Sequence, residues 1–230
     1  MVFPSLIAWV YFVLLAPPSS TEPPGFLPLT IYAVGKIIQF SLPLFWMLGI
    51  TQKRPILGQC HASGLWIAGG FGLAVAAATL TVYFGILRGS PILAQTPEKV
   101  REKVELFHAA TPLSFIGLAI FLSAIHSFLE EYYWRWFMFG QLRDQIGSWF
   151  GGLVSSLGFM GHHVIVLGVY FPGRFLTLAL PFSISVALGG GMWAWLYARE
   201  RSLVAPWISH MIVDGAIMVI GYDMVFRRAG

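Results

Sequence analysis

The sequence predicts an all-α, polytopic membrane helix bundle of about seven transmembrane helices. Three observations predict it. Hydrophobic residues make up 57% of the 230-residue chain and charged residues only 10%, against about 25% charged in an ordinary soluble domain. The mean hydropathy is +0.74. The apolar residues gather into runs of roughly 20 separated by short connections, which leaves room for about seven spans. The 14 Lys and Arg leave a net charge of +4 and a pI near 9.4. They scatter among the loops with no basic run, so this charge fits membrane insertion, and nucleic acid is not expected as a partner. The single cysteine, Cys60, allows no internal disulfide.

Taken in order, residues 2–16 form an apolar run of modest length before the segment Pro17-Pro18-Ser19-Ser20-Thr21-Glu22-Pro23-Pro24-Gly25. A signal peptide would have a basic n-region and a better cleavage context than Ala16-Pro17, so the run reads as a retained first span. Residues 26–50 make the second span, with Lys36, Gln39 and Pro43 inside it; Lys36 is expected to snorkel. Residues 65–87 make the third, rich in Gly and Ala, which lets helix backbones approach closely and argues for a place inside the bundle. Residues 88–110 are the most polar stretch. There Thr96-Pro97-Glu98 reads as a helix start with Thr96 as cap, opening a short amphipathic helix on the membrane surface. Further spans are expected from Pro112 to about Gly140, over 147–171, 175–198 and 203–222. The triplet Gly189-Gly190-Gly191 predicts a close approach or a kink. Loop charges divide about evenly between the two sides, so orientation stays open. Residues 1–110 thus form the N-terminal spans and surface helix, and 111–230 the remaining core of a single membrane domain.

Chemistry concentrates at Glu130-Glu131-Tyr132-Tyr133-Trp134-Arg135, at the end of the apolar run 111–129. The chain has only ten acidic residues, and an ionisable group at membrane depth costs at least about 2.5–3.5 kcal/mol on insertion scales. On a helix Glu131 and Arg135 are four apart and can pair, while Glu130 points roughly 100° away, with His126 one turn before it. His162 and His163 lie in the next span, His210 and Asp214, four apart on one helix face, in the last. Acid or histidine sets on three separate spans are explained by convergence on a common polar site. A glutamate with two histidines can activate water and stabilise an oxyanion.

These residues also carry a resemblance. Glu130-Glu131-x-x-x-Arg135, then Phe159-x-x-x-His163 preceded by Ser155-Ser156, then His210-x-x-x-Asp214 resemble the CPBP family of intramembrane proteases, which includes the CAAX prenyl endopeptidases and the bacterial Abi proteins. The resemblance covers roughly 111–222. It implies Glu130 as the general base, with His163 and His210 holding the water and stabilising the oxyanion. Asp214 stands where many members have asparagine, which puts its role in doubt; it is expected to orient His210 as a carboxylate does in hydrolytic triads. Glu131, Arg135 and Phe159 are supporting residues, and His162 reads as structural. A zinc held by Glu130, His163 and His210 is chemically possible. The His-Glu-x-x-His spacing of a zinc protease helix is missing, and the expectation is no cofactor.

The resulting expectation is a multi-pass integral membrane endopeptidase of the prokaryotic plasma membrane. It would hydrolyse a peptide bond in a membrane-tethered substrate: a CAAX-type prenylated or lipidated C-terminus, or a hydrophobic sorting tail. The lipid bilayer is its other partner. The aromatic run Tyr132, Tyr133, Trp134, Trp136, Phe137 and Phe139 reads equally as a wall for an apolar substrate or as ordinary packing. The alternatives are a transporter or proton pathway, which should show inverted repeats that are not found, and a non-catalytic scaffold of the same fold.

Overall fold

The computed structural model describes residues 2–15, 26–52 and 60–227. Helix is the only regular structure among them. Among the described residues, five helices are long and apolar enough to cross a membrane: Thr30–Ile50, Ala62–Leu87, Pro112–Tyr170, Phe175–Glu200 and Val204–Phe226. The 59-residue stretch Pro112–Tyr170 holds two of the expected spans, divided at Gly147. The first expected span is a shorter apolar helix, Val2–Leu14, and its end at Ala16 lies outside the described residues. We label Val2–Leu14 α1, 26–50 α2, Ala62–Leu87 α3, Thr96–Leu106 α4, 112–146 α5, 148–170 α6, Phe175–Glu200 α7 and Val204–Phe226 α8.

The chain divides into two compact units. One holds α1, α2, α5 from Tyr132 onward, α6 and most of α7. Here Tyr11 of α1 meets Tyr32 of α2 with ring centroids 4.3 Å apart. Pro43 deprives the Gln39 carbonyl of its helical donor, and one residue on, the Tyr132 hydroxyl donates to the Phe40 carbonyl at 3.2 Å. The Lys36 ammonium lies 5.6 Å from the rings of both Tyr32 and Phe40, an aromatic seat on its own helix. Gly190 is where α7 approaches α6 closely: a Cβ there would stand 3.3 Å from Phe159 and 3.4 Å from Ser156. The glycine triplet therefore serves packing, and α7 continues as helix through it.

The second unit holds α3, α4, α5 up to Glu131, and α8. Gly64, Ala68, Gly72 and Ala76 recur every fourth residue and are all buried. At Gly72 a Cβ would come within 2.9 Å of the Ser209 carbonyl, so α3 and α8 touch through backbone there. Helix α4 begins at Thr96 with Gln95 before it, and no side chain caps it. Thr96 is thus the buried first residue of the helix and not its cap. The apolar face of α4 rests on protein: Val104 packs with Ala109 and Phe115, against Met218, Val225 and Phe226 of α8. Helix α5 is capped by Thr111, whose hydroxyl accepts from the Ser114 N–H at 3.2 Å while the Ser114 hydroxyl accepts from the Thr111 N–H at 3.1 Å.

Candidate active site

Helix α5 winds wide over Phe121–His126, returns to ordinary pitch over Ser127–Glu131 and winds wide again over Tyr132–Phe139. Such π-turns shift the helix face and recur at functional sites. The Trp207 indole of α8 donates to the Ala124 carbonyl at 2.8 Å, and its ring meets Phe128 edge-on at 5.5 Å. These contacts fix the register of α8 on this part of α5, three residues before His210.

His210 consequently lies among three carboxylates. Its Nδ1 is 2.9 Å from Glu131 Oε1. Its Nε2 is 3.7 Å from Glu130 Oε2 and 3.5 Å from Asp214 Oδ1. His126 Nδ1 stands 3.9 Å from Glu130 Oε2, on the side the sequence placed it. Glu131 is fully buried, Glu130 and His210 nearly so, and Asp214 retains 23% of its side-chain exposure. With Nδ1–H donating to Glu131, Nε2 is the nitrogen left facing Glu130 and Asp214. Glu131 is therefore the carboxylate on Nδ1, and Asp214 sits beside Nε2.

The motifs of the other unit build around Phe159. His163 Nδ1 is 3.0 Å from the Phe159 carbonyl, which can only accept, so Nδ1 carries the proton. The Phe159 ring meets His163 edge-on at 4.7 Å. The four-residue spacing from Phe159 to His163 thus positions the imidazole through both backbone and ring. His162 is buried, its ring 4.0 Å from that of His163 and parallel to Trp134 at 6.0 Å. The Ser155 hydroxyl donates to the Trp134 carbonyl at 3.0 Å, and that of Ser156 to the Gly152 carbonyl at 2.7 Å. Arg135 is fully buried, its guanidinium 5.1 Å from the Phe159 ring and 5.7 Å from Trp193. Tyr132, Tyr133, Trp134, Trp136 and Phe139 are buried as well. Sequence reasoning passed over Trp207, whose only signal was its place one turn before His210.

The helical fold defines the class: a polytopic integral membrane protein with an acid–histidine cluster buried among its spans. The sequence model of the type II CAAX prenyl endopeptidase Rce1-like family matches residues 112–216, a stretch that includes every motif residue from Glu130 to Asp214. The match agrees with the family resemblance that those motifs carry. Comparison with curated proteins and with solved structures returned no match.

Proposed function

We propose that the protein hydrolyses a peptide bond near the lipidated C-terminus of a membrane-tethered substrate, in a prokaryotic plasma membrane, with Glu130 as the base that activates water. The observation that supports this reading best is His210 flanked by Glu130, Glu131 and Asp214, at 2.9–3.7 Å, within the family-matched stretch. Glu130 takes a proton from the attacking water. His210 Nε2 and His163 Nε2 hold the water and then stabilise the tetrahedral oxyanion. Glu131 keeps the His210 ring in one orientation through Nδ1. Asp214, the one of the four with appreciable exposure, stands 3.5 Å from Nε2 and sets the charge beside it; the proton that Glu130 takes from the water passes to the leaving amine.

The working form is taken to be metal-free. Glu130 Oε2 and Asp214 Oδ1, each within 3.7 Å of His210 Nε2, also suit a divalent ion in donor type. A zinc, were one bound, would take the set the motifs suggest, Glu130, His163 and His210, and would supply a more acidic water. The test of the central claim is Glu130→Gln in full-length protein reconstituted in nanodiscs, with a membrane-peptide library read by mass spectrometry. Glu130→Gln keeps size and hydrogen bonding but removes the basic oxygen, so cleavage should vanish while folding and substrate binding persist. Cleavage at the wild-type rate by Glu130→Gln would overturn the assignment. Cleavage by neither protein, alongside proton-coupled flux that Glu130→Gln stops, would favour a proton pathway.

A further inference from the structure

Trp134 carries a polar group that the reaction above does not use. Its side chain is fully buried, and its indole N–H has no acceptor among the described residues. We propose that this N–H donates to the carbonyl oxygen of the scissile peptide bond, as a second donor beside His163, and holds that oxygen as it becomes the oxyanion. The proposal rests on the protease reading and adds one residue to its machinery.

Three observations carry it. First, the missing acceptor is particular to this indole, the only one sealed without a partner among the described residues. The less buried Trp207 donates its N–H to the Ala124 carbonyl at 2.8 Å. The backbone carbonyl of Trp134 itself accepts from the Ser155 hydroxyl at 3.0 Å. A buried donor without an acceptor is costly where neither water nor lipid can supply one. A substrate oxygen would supply it. Second, the ring is held by the same two side chains that hold His163. Phe159 meets Trp134 at 5.7 Å and His163 at 4.7 Å, both edge-on. The His162 ring lies parallel to Trp134 at 6.0 Å and 4.0 Å from His163. The donor is thus fixed in advance, as an oxyanion hole requires. Third, the group suits a developing anion. An indole N–H only donates, and it keeps its proton at every working pH. His163 gives its Nδ1 proton to the Phe159 carbonyl, so as a neutral ring it has none for an oxyanion. When water adds to the carbonyl carbon, a C–O bond forms and the C=O pair moves onto oxygen. Trp134 stabilises that charge until the C–N bond breaks and the pair returns.

The test removes the N–H and leaves the ring. Full-length protein in nanodiscs carries Trp134→Phe or, by amber suppression, 3-benzothienylalanine at position 134, which keeps the bicyclic shape with sulfur in place of the N–H. Rates are measured on the library peptide that wild type cleaves fastest. In both proteins kcat should fall about 100-fold, the loss expected for one oxyanion-hole donor, with KM within about twofold. Affinity for a peptide phosphonamidate, whose tetrahedral P–O⁻ stands for the oxyanion, should fall by a similar factor. Affinity of Glu130→Gln for the uncleaved peptide should be the same with and without the N–H. The isostere decides alone should Trp134→Phe fail to fold. An N–H that is merely orphaned behaves in the opposite way: its removal leaves kcat and phosphonamidate affinity unchanged and raises the unfolding temperature. That result would overturn the proposal, as would equal losses of affinity for the phosphonamidate and the uncleaved peptide. Cleavage by wild type with both variants at full rate sinks the donor role alone. A wild type that cleaves nothing sinks the protease reading, and the donor role with it.

Discussion

The Nδ1 atom of His210 and the Oε1 atom of Glu131 lie 2.9 Å apart, both side chains all but sealed from solvent. Seventy-nine residues separate them in the chain. A carboxylate on one imidazole nitrogen fixes the ring and decides which nitrogen does the work. Glu131→Gln keeps the shape but weakens this hold, so kcat should fall by about 10–100-fold, as for partners that orient catalytic or ligating histidines. A merely structural Glu131 would change the melting temperature and leave the pH profile of kcat where it was. Measuring both on the same preparation separates the two roles.

Chelation tests the metal-free form. Exhaustive treatment with a zinc chelator should leave cleavage unchanged, and elemental analysis should find no stoichiometric zinc. Chelator-sensitive activity restored by added zinc would overturn this part of the mechanism while leaving Glu130 as the base.

Gly72 links packing to the site. A Cβ there meets the Ser209 carbonyl at 2.9 Å, the residue before His210, whereas at Gly69 it would meet nothing within 4 Å. Gly72→Val should therefore lower stability by about 1–3 kcal/mol through overpacking, and it should reduce kcat by moving α8. Gly69→Ala should do neither. Thermal unfolding in detergent and cleavage rates check the pair.

Cys60 offers a reactivity test outside the spans. Burial, and then the Glu200 carboxylate beside it, push its thiol up from the ordinary value. Its sulfur donates to Glu200 Oε2 at 3.7 Å. Only the thiolate is alkylated, so the rate of labelling by iodoacetamide should rise at a higher pH than for a free thiol. Glu200→Gln should move that rise back toward lower pH.

The helical membrane architecture was legible because its signal is local: apolar runs of sufficient length and a near absence of charge. The burial of Glu130, Glu131 and His210 was legible for the same reason, since charge in so apolar a chain is conspicuous. What the sequence could not specify were partners across spans. Spacing on α5 alone could suggest neighbours within that helix, but only the approach of α8 brings His210 to Glu131 Oε1. The two Thr-Pro pairs make a similar point about caps. Thr111 is extended, with φ −101° and ψ 153°, and its hydroxyl reaches the third residue of the helix. Thr96 is already inside its helix, and the dipeptide looks alike in both places.

The backbone at Gly147 carries a consequence for tolerated variation. Its φ of 81° and ψ of 165° lie in a region open to glycine and closed to residues with a Cβ. The space around it is empty, since a Cβ would meet nothing within 4 Å. Crowding therefore does not hold this position; chirality does. A saturation library selected for activity should return glycine almost alone at codon 147, yet a D-alanine placed there by semisynthesis should be accepted where L-alanine is refused.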